Sequence, residues 1–484
     1  MLLENISLDK ESEQFLYMQL YEKIKDMILE GLIPYDYKLP TIRALAKQID
    51  VNNITVVNAY NKLEEDGYVY KKIGSGTYVK KIDSLYDQDE IDEEEAELNE
   101  ILINFASTAP TTNLFPVEEI KESIIEVLNN DKSNAFIYQN PKGYLPLRKS
   151  LRDYLSGLGI YTTENSIQII SGAQQGIDII SKALIDFKDI VFTEEFTYTG
   201  AIGAFKSRGA STIAINMNED GIDIDDLKNR LKYNKPKFLY LMPNFHNPTG
   251  CSYSVEKMEE ILELARIYNF YIIEDDYLSD LEFHGERNTT MKSLDLKEIE
   301  RVIYIKSFSK LFMPGLRIAF IVIPDELLYD ITSAKHISDI STPGLIQRAF
   351  NIYMRKGEWD ENLKRINKIY DLRHRIMSKA INKYLPENIE YKETRGGFNF
   401  WFKLPNGYSS DALYEYLIDR DILIAPGKIF TIDSEDNGYF RLSVTSIDSE
   451  NIDESFKILS ENIKEFLSEQ NKPKLTIEDY NKFL

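Results

Sequence analysis

Six short apolar runs, spaced through the chain and separated by longer amphipathic stretches, constrain the fold more than any other feature. They are SIQIISG, KDIVFT, ASTIAIN, KFLYLMP, FYIIEDD and RVIYIKS. Each is nearly continuous in apolar and β-branched residues, as expected of strands covered on both faces. Such strands with helical stretches between them predict a mostly parallel sheet flanked by helices. In that architecture reactive side chains gather at the strand ends and the loops that follow. RVIYIKS runs into SFSKLFMPGLR, residues 307–317, which places Lys310 and Arg317 at such an end. Taken by itself, a loop lysine of this kind is a solvated charge or half of a surface ion pair.

A chain of 484 residues is long enough for more than one domain. Its 43% hydrophobic content supports sizeable cores and excludes a disordered protein. The net charge of −22 argues against coating nucleic acid non-specifically, while a small local DNA site stays open. Cys251 is the single cysteine, so no disulfide forms within the chain and a reducing cytoplasm fits best. The polar, acidic start MLLENISLDKESEQ does not read as a signal peptide. No apolar run approaches the roughly 18 residues of a membrane span. His246, His284, His336 and His374 lack metal-ligand spacing, so no metal site is expected.

Composition changes most sharply at residues 81–102, KIDSLYDQDEIDEEEAELNEIL, which is rich in Asp and Glu and poor core material. This divides an arm, 1–80, from a body beginning near 104, with an acidic linker over 81–103. In the arm, Leu16, Leu20, Ile24 and Ile28 recur at helical spacing, with Gly31 placed to end that helix. Thr41 follows Pro40 and can cap a short helix through Ala46. VNNITVVNAYNKLEEDGYV predicts a third helix, capped by Asn52 or Asn53 and stopped near Gly67. YVYKKIGSGTYVK predicts two short strands around a Gly-Ser-Gly turn. Three helices and a β-wing make a winged helix-turn-helix.

Residues 15–80 resemble, without a gap, the DNA-binding domain of the GntR regulators. The resemblance implies a third helix in the major groove of a double-stranded DNA operator, with the wing on the minor groove or backbone. It assigns DNA contacts to Thr41, Arg43, Asn53, Thr55, Lys71, Lys72 and the wing residues Gly74, Ser75 and Gly76. One departure stands out. Where the family carries arginines near the start of the recognition helix, this chain has Asn53 and Val57. Arginine reads guanine and asparagine pairs adenine, so an A·T-leaning operator and modest affinity are expected. Seven cations face five carboxylates between residues 36 and 80, a weak electrostatic footprint.

In the body, KFLYLMP is followed by NFHNPTG, FYIIE by DDY, and SIQII by SGAQQG, which opens a helix whose free N–H groups suit a phosphate. A lysine, a carboxylate, ring-oxygen donors and a phosphate cradle are the parts a pyridoxal phosphate site needs. NFASTAPTTNLFP, YQNPKGYLPLRKSL, SGAQQG, HNPTG, EDDY, SFSKLFMPGLR and GYFRLS occur in the order found in fold-type I aminotransferases. With its arm, the chain resembles the MocR/GabR-type regulators over nearly its whole length. The resemblance implies an α/β fold-type I PLP-dependent transferase domain, large part 104–385, with a smaller C-terminal α+β subdomain and tail over 386–484.

It also implies roles. Lys310 is the Schiff-base lysine for pyridoxal 5'-phosphate. Ser307, Arg317, Gly172, Ala173 and Gln174 hold the phosphate. Asp275 faces the pyridine nitrogen, with Asp276 as a rival. Tyr277 and Asn247 bond the ring oxygen, and Tyr198 stacks on the ring. Tyr138 reaches the neighbouring subunit's phosphate, which implies a homodimer with shared cofactor sites. Arg441 grips the carboxylate of a small amine or amino-acid effector. The intact wing and the gap-free match of the arm favour a regulator that forms an external aldimine with its effector at Lys310; the alternatives are an active aminotransferase whose arm is vestigial or docks on protein, and a regulator that senses pyridoxal phosphate itself. The tail 471–484 has no assigned role.

Overall fold

The computed structural model describes residues 8, 15–29, 33, 37–49, 51–65, 68–72, 76–79, 103–283, 285, 287–296 and 299–470. The acidic run 81–102, the wing residues Gly74 and Ser75, the helix-ending Gly31 and Gly67, His284 and the tail 471–484 lie outside them. The chain divides into two units, Met1–Glu97 and Leu98–Leu484.

The first unit holds three helices, Leu16–Leu29, Ile42–Gln48 and Asn53–Glu65, and the antiparallel strands Val69–Lys72 and Gly76–Val79. Leu20, Ile24 and Ile28 bury one stripe of the first helix against Leu45, Val56, Ala59 and Tyr60. Thr41 caps the second helix through its hydroxyl, which accepts the Ala44 N–H at 3.3 Å. That helix runs to Gln48, two residues beyond the expected Ala46. Asn52, not Asn53, caps the third, accepting the Ile54 N–H at 3.1 Å.

All six apolar runs supply strands of one seven-stranded sheet. Its order is Ile167–Ile170, Ala319–Val322, Val302–Ser307, Tyr271–Asp276, Pro236–Leu241, Ile190–Glu194, Ser211–Ile215. Ala319–Val322, absent from the sequence reading, is antiparallel to both neighbours; the other strands run parallel, so their C-terminal ends share one edge. Apolar cores cover both faces. Tyr240, Ile273 and Ile305 lie in one, and Ile272, Tyr304 and Phe320 in the other.

A separate core surrounds a four-stranded antiparallel sheet that includes Asn399–Lys403 and Tyr439–Ser443. It takes in Met377 and Ile381 of the long helix Glu358–Tyr384. Ile103 and Phe105 also belong to it, because Ile103–Asn104 pairs in parallel with Ile422–Leu423. The start of the body therefore packs with its C-terminal part. Among the described residues no helix is long and apolar enough to cross a membrane, and no group of three His, Cys, Asp or Glu could hold a metal.

Candidate functional site

Five parallel strands deliver most of the candidate residues to one sheet edge; Arg441 comes from Tyr439–Ser443 of the separate four-stranded sheet. Lys310 follows Val302–Ser307, and its ammonium lies 2.8 Å from the Thr108 hydroxyl. Burial, then Arg441 and Arg317, lower its pKa to about 8. Much more of this amine is neutral near pH 7 than of an ordinary lysine. Thr108, in the ASTAP segment, was not singled out in the sequence; its contact spans some two hundred residues of chain and leaves no local signal.

Asp275 and Asp276 end the neighbouring strand, and strand alternation sends them to opposite faces. Asp276 is consumed by structure. Its carboxylate takes the Tyr304 hydroxyl at 2.5 Å, the Lys306 ammonium at 3.1 Å and the Ser279 hydroxyl. Burial alone would raise its pKa; Lys306 and the two hydroxyls outweigh that and hold it below the usual range. Among the described residues Asp275 has one side-chain donor, the Tyr240 hydroxyl at 2.6 Å. Burial, with Asp276 and Glu194 adding, raises it to about 6. A buried carboxylate of that kind is stabilised by an incoming positive charge. Tyr240, hidden within KFLYLMP, is a further site residue that hydrophobicity alone conceals.

The helix Ala173–Leu184 begins at Gly172, whose φ is +124°. A Cβ there would come within 2.3 Å of the Arg317 guanidinium. Arg317 has no ion pair among the described residues, yet it lies against a helix N-terminus whose first N–H groups, at Ala173 and Gln174, point outward. A cation beside free helical N–H groups is an anion cradle. Ser307 ends the lysine strand nearby in sequence, and its hydroxyl accepts the Ser309 N–H at 3.3 Å. Tyr198 precedes the helix Thr199–Ser207, with its ring over Gly200.

Tyr277 donates to the Phe245 carbonyl and accepts from Asn399 at 3.2 Å. Asn247 accepts from Arg441 through its side-chain oxygen at 2.7 Å, which leaves its amide N–H₂ to donate elsewhere. Arg441 is buried, donates also to the Ala106 carbonyl, and has no carboxylate partner among the described residues. Burial lowers its pKa to about 10. Tyr138 stands apart from this buried set, 80% exposed beside exposed Phe136 and Ile137.

In the first unit, Thr41 and Arg43 sit at the start of the second helix, and Asn53 and Thr55 at the start of the third. Arg43 and Asn53 are exposed. Lys71 is less available than its sequence position suggests: it pairs with Glu64 and donates to Asn61 at 2.9 Å, both on the third helix. Lys72 lies over the Tyr78 ring at 4.8 Å. Gly76, at φ +136°, opens the second wing strand.

Residues 100–459 match the family of class I and II aminotransferases, and residues 16–79 match the bacterial regulatory proteins of the gntR family. The chain is similar to the uncharacterized HTH-type transcriptional regulator YdfD of Bacillus subtilis, 30% identical over 93% of this chain and 97% of that one. It is also similar to the probable rhizopine catabolism regulatory protein MocR of Rhizobium meliloti, 24% identical over 87% and 88%. Among solved structures it resembles LysN, an α-aminoadipate aminotransferase of Thermus thermophilus complexed with N-(5'-phosphopyridoxyl)-L-leucine. The TM-score is 0.72, with 30% identity over 77% of this chain and 95% of that one.

The residues present fit pyridoxal phosphate: Arg317, without an ion pair among the described residues, at a helix N-terminus for the phosphate, a buried carboxylate for the ring nitrogen, and a lysine of lowered pKa. Gly172→Ala tests the cradle. The added methyl displaces Arg317, and losing one charge-assisted hydrogen bond costs about 1.5–3 kcal/mol. Cofactor affinity should fall roughly ten- to a hundredfold by spectroscopic titration; unchanged affinity would remove Gly172 and Arg317 from the cradle.

Proposed function

The chain belongs to the class I and II aminotransferases, joined to a GntR-family regulatory domain in the manner of MocR, and from that premise we propose that it is a DNA-binding transcription regulator sensing an amino compound at Lys310. Bound there, pyridoxal phosphate supplies a carbonyl carbon that can pass from one amine to another. The chain's own residues do the rest. Lys310, its amine brought down to a pKa of about 8 by burial and then by Arg441 and Arg317, would be the residue that holds the cofactor. Asp275 would hold the ring nitrogen protonated, Asn247 would donate its amide N–H to the ring oxygen, Tyr277 would do so by turning its hydroxyl proton away from the Phe245 carbonyl, and Tyr198 would cover the ring. Ser307, Arg317, Gly172, Ala173 and Gln174 hold the phosphate.

The observation that carries the effector class is Arg441, a buried guanidinium with no carboxylate partner among the described residues. An incoming carboxylate supplies the missing charge, which supports an amino acid as effector. Exposed Tyr138 supports a homodimer in which one copy completes the other's site. For the amine to act as a switch, it must bind one conformation better than another. The lack of a disulfide-capable cysteine pair supports a cytoplasmic setting.

The test is capture of genomic fragments by the purified, cofactor-loaded chain, repeated with a panel of amino acids and after cofactor removal. One discrete fragment, altered by one amino acid, establishes the sensor; a response to cofactor alone makes pyridoxal phosphate the effector. In the same assay Arg43→Ala should weaken binding about equally across sequences and reduce the salt slope by roughly one. Unchanged affinity would discard that contact. The likeness to LysN favours a second reading, an aminotransferase. No enrichment under any condition, together with amino-group transfer to 2-oxo acids, would select it.

A further inference from the structure

Resting on the reading of Tyr277 as a ring-oxygen donor, we propose that Asn399 is a positioning residue for the cofactor. It acts through Tyr277: it fixes where that hydroxyl can send its proton, and so sets the pH at which bound pyridoxal phosphate gives up its own. Asn399 opens the strand Asn399–Lys403 and pairs there with Ser443, two residues from Arg441. It is 1% exposed. Its amide nitrogen lies 3.2 Å from the Tyr277 hydroxyl oxygen, so the contact reaches from the four-stranded sheet to the residue directly after Tyr271–Asp276.

The direction of this hydrogen bond follows from its neighbours. A phenol has one proton, and Tyr277 gives it to the Phe245 carbonyl, which can only accept. Asn399 must therefore donate, with its N–H₂ on the tyrosine and its Oδ1 turned away. That Oδ1 is buried and has no hydrogen-bond partner among the described residues. Buried polar atoms are nearly always paired, so stability does not explain an amide at this position. Leucine, of similar volume, would fill the space without an orphaned oxygen. The residue is also tightly placed. A Cβ on Gly250, in the loop that carries Asn247, would come within 2.5 Å of the Asn399 carbonyl oxygen.

The result is a hydroxyl with two outlets. An amide N–H₂ cannot accept, so Tyr277 never turns its proton towards Asn399. The proton goes to the Phe245 carbonyl, as here, or to an acceptor in the site, which for the cofactor is the ring oxygen. Donation from Asn399 also polarises the hydroxyl and strengthens the bond it gives. A donor on the ring oxygen favours the form in which that oxygen bears its negative charge with no proton beside it. Asn399 thereby lowers the pH at which the bound cofactor is deprotonated, acting from behind Tyr277.

A double-mutant cycle read in the spectrum of the loaded chain tests this. The absorbance of bound pyridoxal phosphate is titrated against pH in the wild type, Asn399→Leu, Tyr277→Phe and the double variant. Asn399→Leu should raise the spectral pKa by roughly half a unit to one unit, the worth of one hydrogen bond. Tyr277→Phe should raise it by at least as much. In the Tyr277→Phe background Asn399→Leu should add nothing, because the group it acts through is gone. Asn399→Asp, whose carboxylate accepts the tyrosine proton, should shift the spectrum at least as far as Tyr277→Phe. A shift of equal size in both backgrounds would mean that Asn399 acts by packing alone and would overturn the proposal. No shift in Asn399→Leu, or a wild-type spectrum indifferent to pH, would overturn it as well. If Tyr277→Phe has no effect, the reading of Tyr277 falls and this inference with it. If Tyr277→Phe shifts the spectrum and Asn399→Leu does not, only this inference falls.

Discussion

Lys310→Met should abolish covalent capture of the cofactor and at the same time stabilise the chain at neutral pH. The first effect is all or none, because methionine has no amine to form the bond. The second follows from the environment of the lysine. Burial and the neighbouring Arg441 and Arg317 bring its pKa from 10.5 to about 8. The folded state therefore holds this charge at a disadvantage. Below pH 8 the lysine is charged in both states and the full penalty applies, about 3 kcal/mol at most at 1.36 kcal/mol per pKa unit. Between pH 8 and 10.5 the folded lysine is neutral while the unfolded one is still charged. Across that window the wild-type cofactor-free chain gains stability as pH rises. Methionine fills the same volume without the charge, so the variant should melt higher than wild type at pH 7 and converge with it near pH 10.5. Two measurements decide this: denaturant melts of the cofactor-free chains at both pH values, and the visible absorbance after loading and washing. A retained visible band, or a variant less stable than wild type at pH 7, would remove Lys310 from its role.

How much of this was open to reading beforehand depends on whether a residue's meaning is local. The six sheet strands were legible because burial on both faces writes itself as a continuous apolar run. The caps and wing of the first unit were legible because Thr41 and Asn52 act on N–H groups two or three residues away. Asp275 and Asp276 show the limit. Two adjacent carboxylates after a strand look alike, and only the alternation of faces separates one paired with Lys306 and Tyr304 from one that takes the Tyr240 hydroxyl alone. Tyr240 and Lys306 sit within apolar runs, while their polar ends serve partners on neighbouring strands and loops. The strand Ala319–Val322 gives no separate signal because it directly follows the SFSKLFMPGLR loop. Asn399 and Tyr277 are 122 positions apart and meet only through the fold.

Lys306 and Lys310 lie four residues apart, and the first should respond to substitution in the opposite way. Burial works against the charge of Lys306, but Asp276 at 3.1 Å and Asp280 at 2.5 Å outweigh it and raise its pKa. The lysine lies between two carboxylates whose side chains are buried, and these also take the Tyr304 and Tyr154 hydroxyls. Lys306→Met leaves both carboxylates desolvated without a cation. Breaking a buried pair by removing one partner costs about 3–5 kcal/mol, because the orphaned charge remains. The pH dependence carries the sharper signature. In the wild type, Lys306 and the two hydroxyls hold Asp276 below its ordinary pKa against burial. Its contribution is present above the unfolded pKa and is lost as pH falls through the folded one. With Lys306 gone, burial prevails and the carboxyl shifts upward. The folded variant then takes up protons more readily than the unfolded chain, and its deficit shrinks as pH is lowered from 7 towards 5. Adding Asp276→Asn and Asp280→Asn should recover most of the loss at pH 7, since neutral groups carry no orphaned charge. Denaturant melts of the three proteins at the two pH values test the whole argument. A deficit under about 1 kcal/mol, or one that ignores pH, would mean that water reaches these carboxylates and screens their charge.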